Sequence, residues 1–350
     1  MRSSRTVAAA VVLLAALLAP LLAIGAAHAQ APAPQTASPV FDAIRARGHV
    51  MCGVSPGVPG FSMPDAQGNW RGIDVDICRA IAAAMFGDAT KVRFQPLSIQ
   101  QRFTAVQSGE VDVLSRNTTV SLSRDAGLGL EFPVIAFYDG QGFMVPRRLN
   151  VSNARQLNGA SVCIQTGTTT ELNLADWARA NSIQLQPVVI ESTEQMRSSY
   201  FSGRCDLYTT DVSGLAAVRS VAQTPADHVI LPEVISKEPL GPGVRQGDQR
   251  WAHVVRWSVY ALFEAEELGL TSANIEGRRG DANPSVQRFV GTQGELGQQL
   301  GIDNAWAFQI VRQVGNYAEV FQRNITPLGI ERGPNRLWRD GGLLYSPPFR

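Results

Sequence analysis

Three stretches of this chain carry side chains whose types and spacing could hold a small charged molecule. The first is Arg116-Asn117-Thr118-Thr119-Val120-Ser121-Leu122-Ser123-Arg124-Asp125, a polar turn with two guanidinium groups. A guanidinium binds a carboxylate through two parallel hydrogen bonds. The second is Gln165-Thr166-Gly167-Thr168-Thr169-Thr170-Glu171, where a strand meets a helix. Unsatisfied backbone N–H groups at such a junction favour an anion. The same residues also form a plain helix N-cap, with Thr168 capping and Glu171 completing a capping box, and both roles can hold at once. The third is Asp211, an acid that can take an ammonium group, for which an anion-only site would have no use. Nothing here requires catalysis. Beyond His28 the chain has only His49, His228 and His253, none beside an obvious nucleophile pattern. It has no His-Glu-x-x-His, Gly-x-Ser-x-Gly or phosphate-loop signature. No enzyme activity and no cofactor are expected.

The elements that position these residues alternate. His49 to Val54 reads as a strand, and Cys78, Ile81, Ala82 and Met85 recur on one helical face. Val92 to Leu97 is a second strand. Ile99, Phe103 and Val106 mark a helix stopped by Gly109, and Val111 to Ser115 is a third strand. The order then repeats: strand Ser161 to Gln165, a helix lined by Leu174, Trp177 and Ala178, strand Leu185 to Ile190, helix Gln195 to Ser202, and strand Cys205 to Thr210. Strands alternating with helices of this length imply parallel sheets with crossover helices. Setting Leu97 to Asn117 over Glu191 to Asp211 aligns Ser98 with Ser192, Gln101 with Gln195 and Asp112 with Asp206, the pattern of a duplicated lobe. It places Asn117 and Asp211 at equivalent points past the third strands, where open α/β sheets bind ligands. Extended segments near Phe143 to Pro146 and Ile235 to Leu240 read as crossings between the lobes, so hinge closure is expected.

Arg2 and Arg5, the apolar run Val7 to Ala19, Pro20 and Ala27-His28-Ala29 have the layout of a secretory signal peptide. Residues 1–29 are therefore expected to be removed after Ala29, and residues 30–39, rich in Ala and Pro, to be a flexible linker. The expected location is the periplasm, with no span of the membrane after cleavage. Of 31 basic residues, Arg2 and Arg5 leave with the leader, so 29 face 30 acids. That balance argues against nucleic acid as a partner. Roughly 320 remaining residues exceed what one core usually serves, which implies two lobes. These are expected at 40–145 plus 235–350, including a C-terminal extension, and at 146–234. Cys52, Cys78, Cys163 and Cys205 form no metal pattern, and in an exported chain disulfides are expected. Three pairings are open. Cys52 on a strand with Cys78 on its covering helix, and Cys163 with Cys205 on two strands of the second lobe, are the pairs that element placement favours, with reduced buried thiols as the alternative.

The chain resembles the solute-binding proteins of polar amino-acid ABC transporters. Gly72-Ile-Asp-Val-Asp-Ile-Cys-Arg-Ala-Ile-Ala, Leu114-Ser-Arg-Asn-Thr-Thr and Gln165-Thr-Gly-Thr-Thr-Thr-Glu are similar to the general L-amino-acid-binding branch, from about Phe41 to the C-terminal residue Arg350. The resemblance implies an α/β fold of the type II periplasmic binding protein, two α/β lobes with a hinge and an interlobe ligand cleft. It implies a monomer that takes free L-amino acids, polar or acidic ones preferred, and hands them to permease subunits. Arg124 would bind the ligand α-carboxylate, Thr169 and the loop N–H groups around Thr168 would assist, and Asp211 would bind the α-ammonium. Asn117 and Thr119 fall where relatives use strand-end backbone and hydroxyl groups. Arg102 matches an Arg of relatives that bind acidic amino acids and is expected to meet the ligand side chain. Val58 stands where many relatives carry an aromatic residue. The same fold also resembles dehydratases acting on prephenate or arogenate, and ligand-sensing modules of receptors, which are the alternative functions.

Overall fold

A computed structural model describes residues 37–350; the expected signal peptide and most of the linker lie outside the described residues. Among the described residues no helix is long and apolar enough to cross a membrane. Pro39, expected in the linker, is instead the first residue of α1 (Pro39–Arg47). There follow β1 (Val50–Val54), a hairpin of β2 (Met63–Pro64) and β3 (Trp70–Arg71), α2 (Ile73–Phe86), β4 (Val92–Pro96), α3 (Arg102–Ser108), β5 (Val113–Leu114), α4 (Leu122–Gly127) and β6 (Leu130–Glu131). Strands β1, β4 and β5 make a parallel sheet in the order β4-β1-β5. The residue before α2 is Gly72, where a φ of 127° and the Phe61 carbonyl, 1.9 Å from where a Cβ would sit, admit no side chain.

The chain then runs through β7 (Phe137–Asp139) into β8 (Gln141–Pro146), β9 (Ser161–Gln165), α5 (Thr169–Ala180), β10 (Gln186–Ile190), α6 (Thr193–Phe201), β11 (Leu207–Asp211), α7 (Val212–Ser220) and β12 (His228–Ile230). Strands β8 to β12 form a five-stranded sheet ordered β10-β9-β11-β8-β12, with β8 antiparallel to both its neighbours. The crossing expected near Phe143 to Pro146 therefore falls inside this sheet. The chain passes between sheets one strand earlier, where β7 pairs antiparallel with β13 (Glu238–Leu240), Asp139 opposite Glu238. Strand β14 (Val244–Arg245) then pairs with β6.

Helices α8 (Gln249–Glu267), α9 (Pro284–Val290), α10 (Leu296–Leu300), α11 (Trp306–Val314) and α12 (Tyr317–Asn324) complete the chain. Their apolar faces bury Trp251, Phe263, Phe308 and Phe321 against α2 in the largest core. The second sheet has smaller cores on its two faces, one with Leu174 of α5 and one with Met196 and Tyr200 of α6.

The internal repeat is real at the level of single hydrogen bonds. Asp112 accepts from the Met51 N–H at 2.7 Å and donates its own N–H to Met51 O at 2.9 Å. Asp206 does the same to Ser161, at 2.8 and 2.9 Å. In this register Cys52 is opposite Val113 and Val162 is opposite Leu207, so Cys163 is one residue out of step with Cys52. A one-residue step on a strand reverses the face. Cys52 thus bonds to Cys78 of α2, whereas Cys163, on the α6 side of its sheet, bonds to Cys205. Both favoured pairings hold, but Cys205 lies in the turn before β11 rather than on a strand.

Candidate functional site

The strand-end loop of the first lobe is shaped by Asp74 in the first turn of α2. Its carboxyl accepts from the Asn117 N–H at 2.8 Å and from Ser115 Oγ at 3.2 Å. Asn117 is held at a φ of 30°, a conformation that Asn tolerates better than most residues. Burial pushes the Asp74 carboxyl up to about 7, against the lowering effect of these two bonds and of Arg116. Two residues on, the Thr119 carbonyl accepts from Arg124 Nη1 at 2.8 Å. Arg124 is set by α4, whose Ser121 caps the Arg124 N–H. Its guanidinium lies 5.3 Å from the Phe103 ring centre, and that of Arg102 lies 4.5 Å from the same ring. Burial lowers the affinity of all three arginines for their protons, that of Arg116 to about 10.

On the second lobe, Thr168 caps α5: its hydroxyl accepts from the Glu171 N–H at 3.2 Å and donates to Gln165 O at 2.6 Å. Glu171 turns back, but to the Gly167 N–H at 2.9 Å, one residue before the cap, so the expected capping box is not closed. Asp211 ends β11 and is buried. Burial, then the nearby Asp139 and Glu238 carboxylates, hold its carboxyl well above the usual range, while Arg124 and Arg102 pull it down. Burial likewise raises Asp139, which accepts from Ser213 and from the Gly140 N–H, to about 6.

Glu238 ties the two rims together. One carboxylate oxygen accepts from Thr119 Oγ1 at 2.5 Å and Thr169 Oγ1 at 2.8 Å; the other accepts from Asn173 Nδ2 and Ser236 Oγ, both at 2.6 Å. The two threonine hydroxyls are themselves 3.3 Å apart. Arg102 Nη2 reaches the Gly167 carbonyl at 3.3 Å, and its Nε is buried with no hydrogen-bond partner among the described residues. Arg102, Thr119, Arg124, Thr168, Thr169 and Asp211 are thus gathered where the strand ends of the two sheets meet. Beside them is a cavity of about 50 Å³, walled by Asn117, Arg116 and Val58 on one side and by Thr193, Arg197 and Thr210 on the other. Of the site residues expected from sequence, Asn117 alone lines it.

Sequence reasoning missed Glu238, Asp139, Asp74 and Arg197. Glu238 and Asp139 sit on short extended segments with no periodicity to mark them. Asp74 does carry a signal, an acid in the first turn of an otherwise apolar helix.

Two α/β lobes joined by paired crossing strands, with charged strand ends facing each other, define a type II periplasmic binding protein. Residues 50–272 match the family described as bacterial extracellular solute-binding proteins, family 3, and the chain belongs to it. Among its relatives, the general L-amino acid-binding periplasmic protein AapJ of Rhizobium johnstonii is 51% identical over 94% of this chain and 98% of its own. The glutamate/glutamine/aspartate/asparagine-binding protein BztA of Rhodobacter capsulatus is 51% identical over 89% of this chain and 93% of its own. A periplasmic binding protein from Brucella ovis, solved with glutathione bound, is 53% identical with a TM-score of 0.87, over 89% of this chain and 99% of that one.

Proposed function

We propose that this protein is the extracytoplasmic substrate-binding component of an amino-acid ABC transporter, capturing free L-amino acids between its lobes and delivering them to permease subunits. The observation that carries this reading is the full-length identity of about half to AapJ and BztA, whose names state amino-acid binding. In this reading Arg124 takes the α-carboxylate, with Thr169 and the N–H groups around Thr168. Asp211 takes the α-ammonium, Asn117 and Thr119 complete the head-group site, and Arg102 faces the ligand side chain. A zwitterion needs both counter-charges, because either of its own charges left desolvated and unpaired is costly. The second lobe, expected at 146–234, extends in this proposal back to β8, and β7 with β13 acts as the hinge. The leader is removed after Ala29, the mature protein is a periplasmic monomer, and it binds without turnover.

A second reading is supported by the glutathione in the Brucella ovis relative. The γ-glutamyl end of that tripeptide presents the same α-amino-acid head, so the same clamp would serve it. Calorimetric titration with the twenty common amino acids and glutathione tests both. Arg124→Ala and Asp211→Ala are expected to weaken every ligand by a similar factor, about thirtyfold to several thousandfold. Near-native affinity in either variant, with the fold intact by circular dichroism, removes the clamp. Turnover of prephenate or arogenate supports a dehydratase instead.

A further inference from the structure

The cavity between the lobes has a charge pattern of its own. Its lining includes two arginines, Arg116 and Arg197, and no Asp or Glu. Arg116 is already engaged: its Nε donates to Leu97 O at 2.9 Å, and Asp74 acts on it as a counter-charge. Arg197 is different. It is half-buried on α6, four residues after Thr193 and therefore on the same helix face, and both line the cavity. Among the described residues its guanidinium makes no hydrogen bond and no ion pair, and the group its charge acts on is the Tyr208 hydroxyl, another wall of the cavity. A guanidinium carries five donors in a fixed fork, and with no protein acceptor in reach those of Arg197 stay open to whatever enters the cavity. Across the cavity the Asn117 side-chain oxygen is buried and, among the described residues, has no hydrogen-bond partner. The acids of the site lie elsewhere: Asp139 and Glu238 act on Asp211, with Arg124 and Arg102 as the opposing positive charges.

We infer that Arg197 is an anion subsite that receives a second carboxylate of the ligand, distal to the α-carboxylate held by Arg124. The inference rests on the function proposed above and names its ligand class: α-amino acids that carry a further carboxylate, either on the side chain itself or at the end of a γ-linked peptide. A cationic side chain finds no acid in the cavity to answer it, whereas a carboxylate finds the open fork of Arg197. The Thr193 hydroxyl, paired with Gln165 Nε2 at 3.2 Å, stands on the same wall.

The test is calorimetric titration of wild type, Arg197→Gln and Arg197→Lys with L-glutamate, L-glutamine and glutathione. Arg197→Gln is expected to weaken a ligand bearing the distal carboxylate by about tenfold or more, while L-glutamine changes by less than about threefold. Arg197→Lys, which keeps the charge, should recover most of the preference. Selective loss of glutathione binding assigns the subsite to a peptide-linked carboxylate, and selective loss of glutamate binding to a side-chain one. Equal weakening of all three ligands, or no weakening, overturns the inference alone. So does a wild-type protein that binds neutral amino acids but neither glutamate nor glutathione. A wild-type protein that binds no amino acid and no glutathione overturns the proposed function first and this inference with it.

Discussion

Replacing Glu238 with Ala isolates the contribution of the residue that joins the rims. The carboxylate accepts four hydrogen bonds, from Thr119, Thr169, Asn173 and Ser236, at 2.5 to 2.8 Å. Each hydrogen bond to a charged group contributes about 1.5–3 kcal/mol. Against that stands the desolvation of the carboxylate, several kcal/mol for a buried ion, which the Ala variant no longer suffers. After truncation the two threonine hydroxyls, 3.3 Å apart, can still bond to each other, whereas the Asn173 amide loses its acceptor. The expected net loss is about 2–4 kcal/mol. Glu238→Gln should lose less than half of this, because its amide nitrogen can face the threonine hydroxyls while its oxygen still accepts from Asn173 and Ser236. Urea unfolding followed by circular dichroism measures both variants, and small-angle scattering with added ligand reports whether the lobes still close. An unfolding free energy for Glu238→Ala within about 0.5 kcal/mol of wild type, the range of ordinary surface substitutions, would refute the reasoning.

Three further outcomes follow from other parts of the molecule. Burial raises the Asp74 carboxyl from 3.8 to about 7, so the folded chain holds a proton there that the unfolded chain releases. Its contribution to stability is therefore present below about pH 4 and declines as pH rises to about 7, by up to about 4 kcal/mol. Asp74→Asn should flatten that part of a stability profile measured by chemical unfolding between pH 4 and 8; an unchanged slope excludes Asp74 as its source. Disulfides closing loops of 26 and 42 residues restrict the unfolded chain by about 3.5 and 4 kcal/mol in the chain-entropy account. Replacing each pair by Ala should lower thermal stability accordingly, and intact-mass measurement with and without reductant should show no free thiol in the native protein. Arg102→Ala should change affinity for glutamate more than for an aliphatic amino acid in parallel titrations; equal changes would leave Arg102 only its bond to the Gly167 carbonyl.

The sequence by itself determined the parts of this protein that are local and periodic. Strand–helix alternation located the parallel strands, and the recurrence of Asp112 and Asp206 with their surroundings located the duplication. Thr168 before α5 announced its cap through side-chain chemistry that works within one helical turn. The type and number of cysteines, with their elements, pointed to the pairs that form. Tertiary structure decided what depends on contacts between segments distant in the chain. Whether Phe143 to Pro146 is a crossing or a sheet strand turns on its pairing with β11 and β12, which an extended apolar segment does not specify alone. Glu238 has no local signature; its role exists only because β7 pairs with β13 and brings Thr119 and Thr169, 50 residues apart, to the same carboxylate oxygen. Arg197 reads in sequence as an ordinary helix arginine, and only the meeting of two lobes turns its outer face into the wall of a cavity that contains no acid. The physical reason is the same in each case: periodicity and capping are written within a few residues, while burial, charge balance and unmatched donors are properties of surfaces that come together after folding.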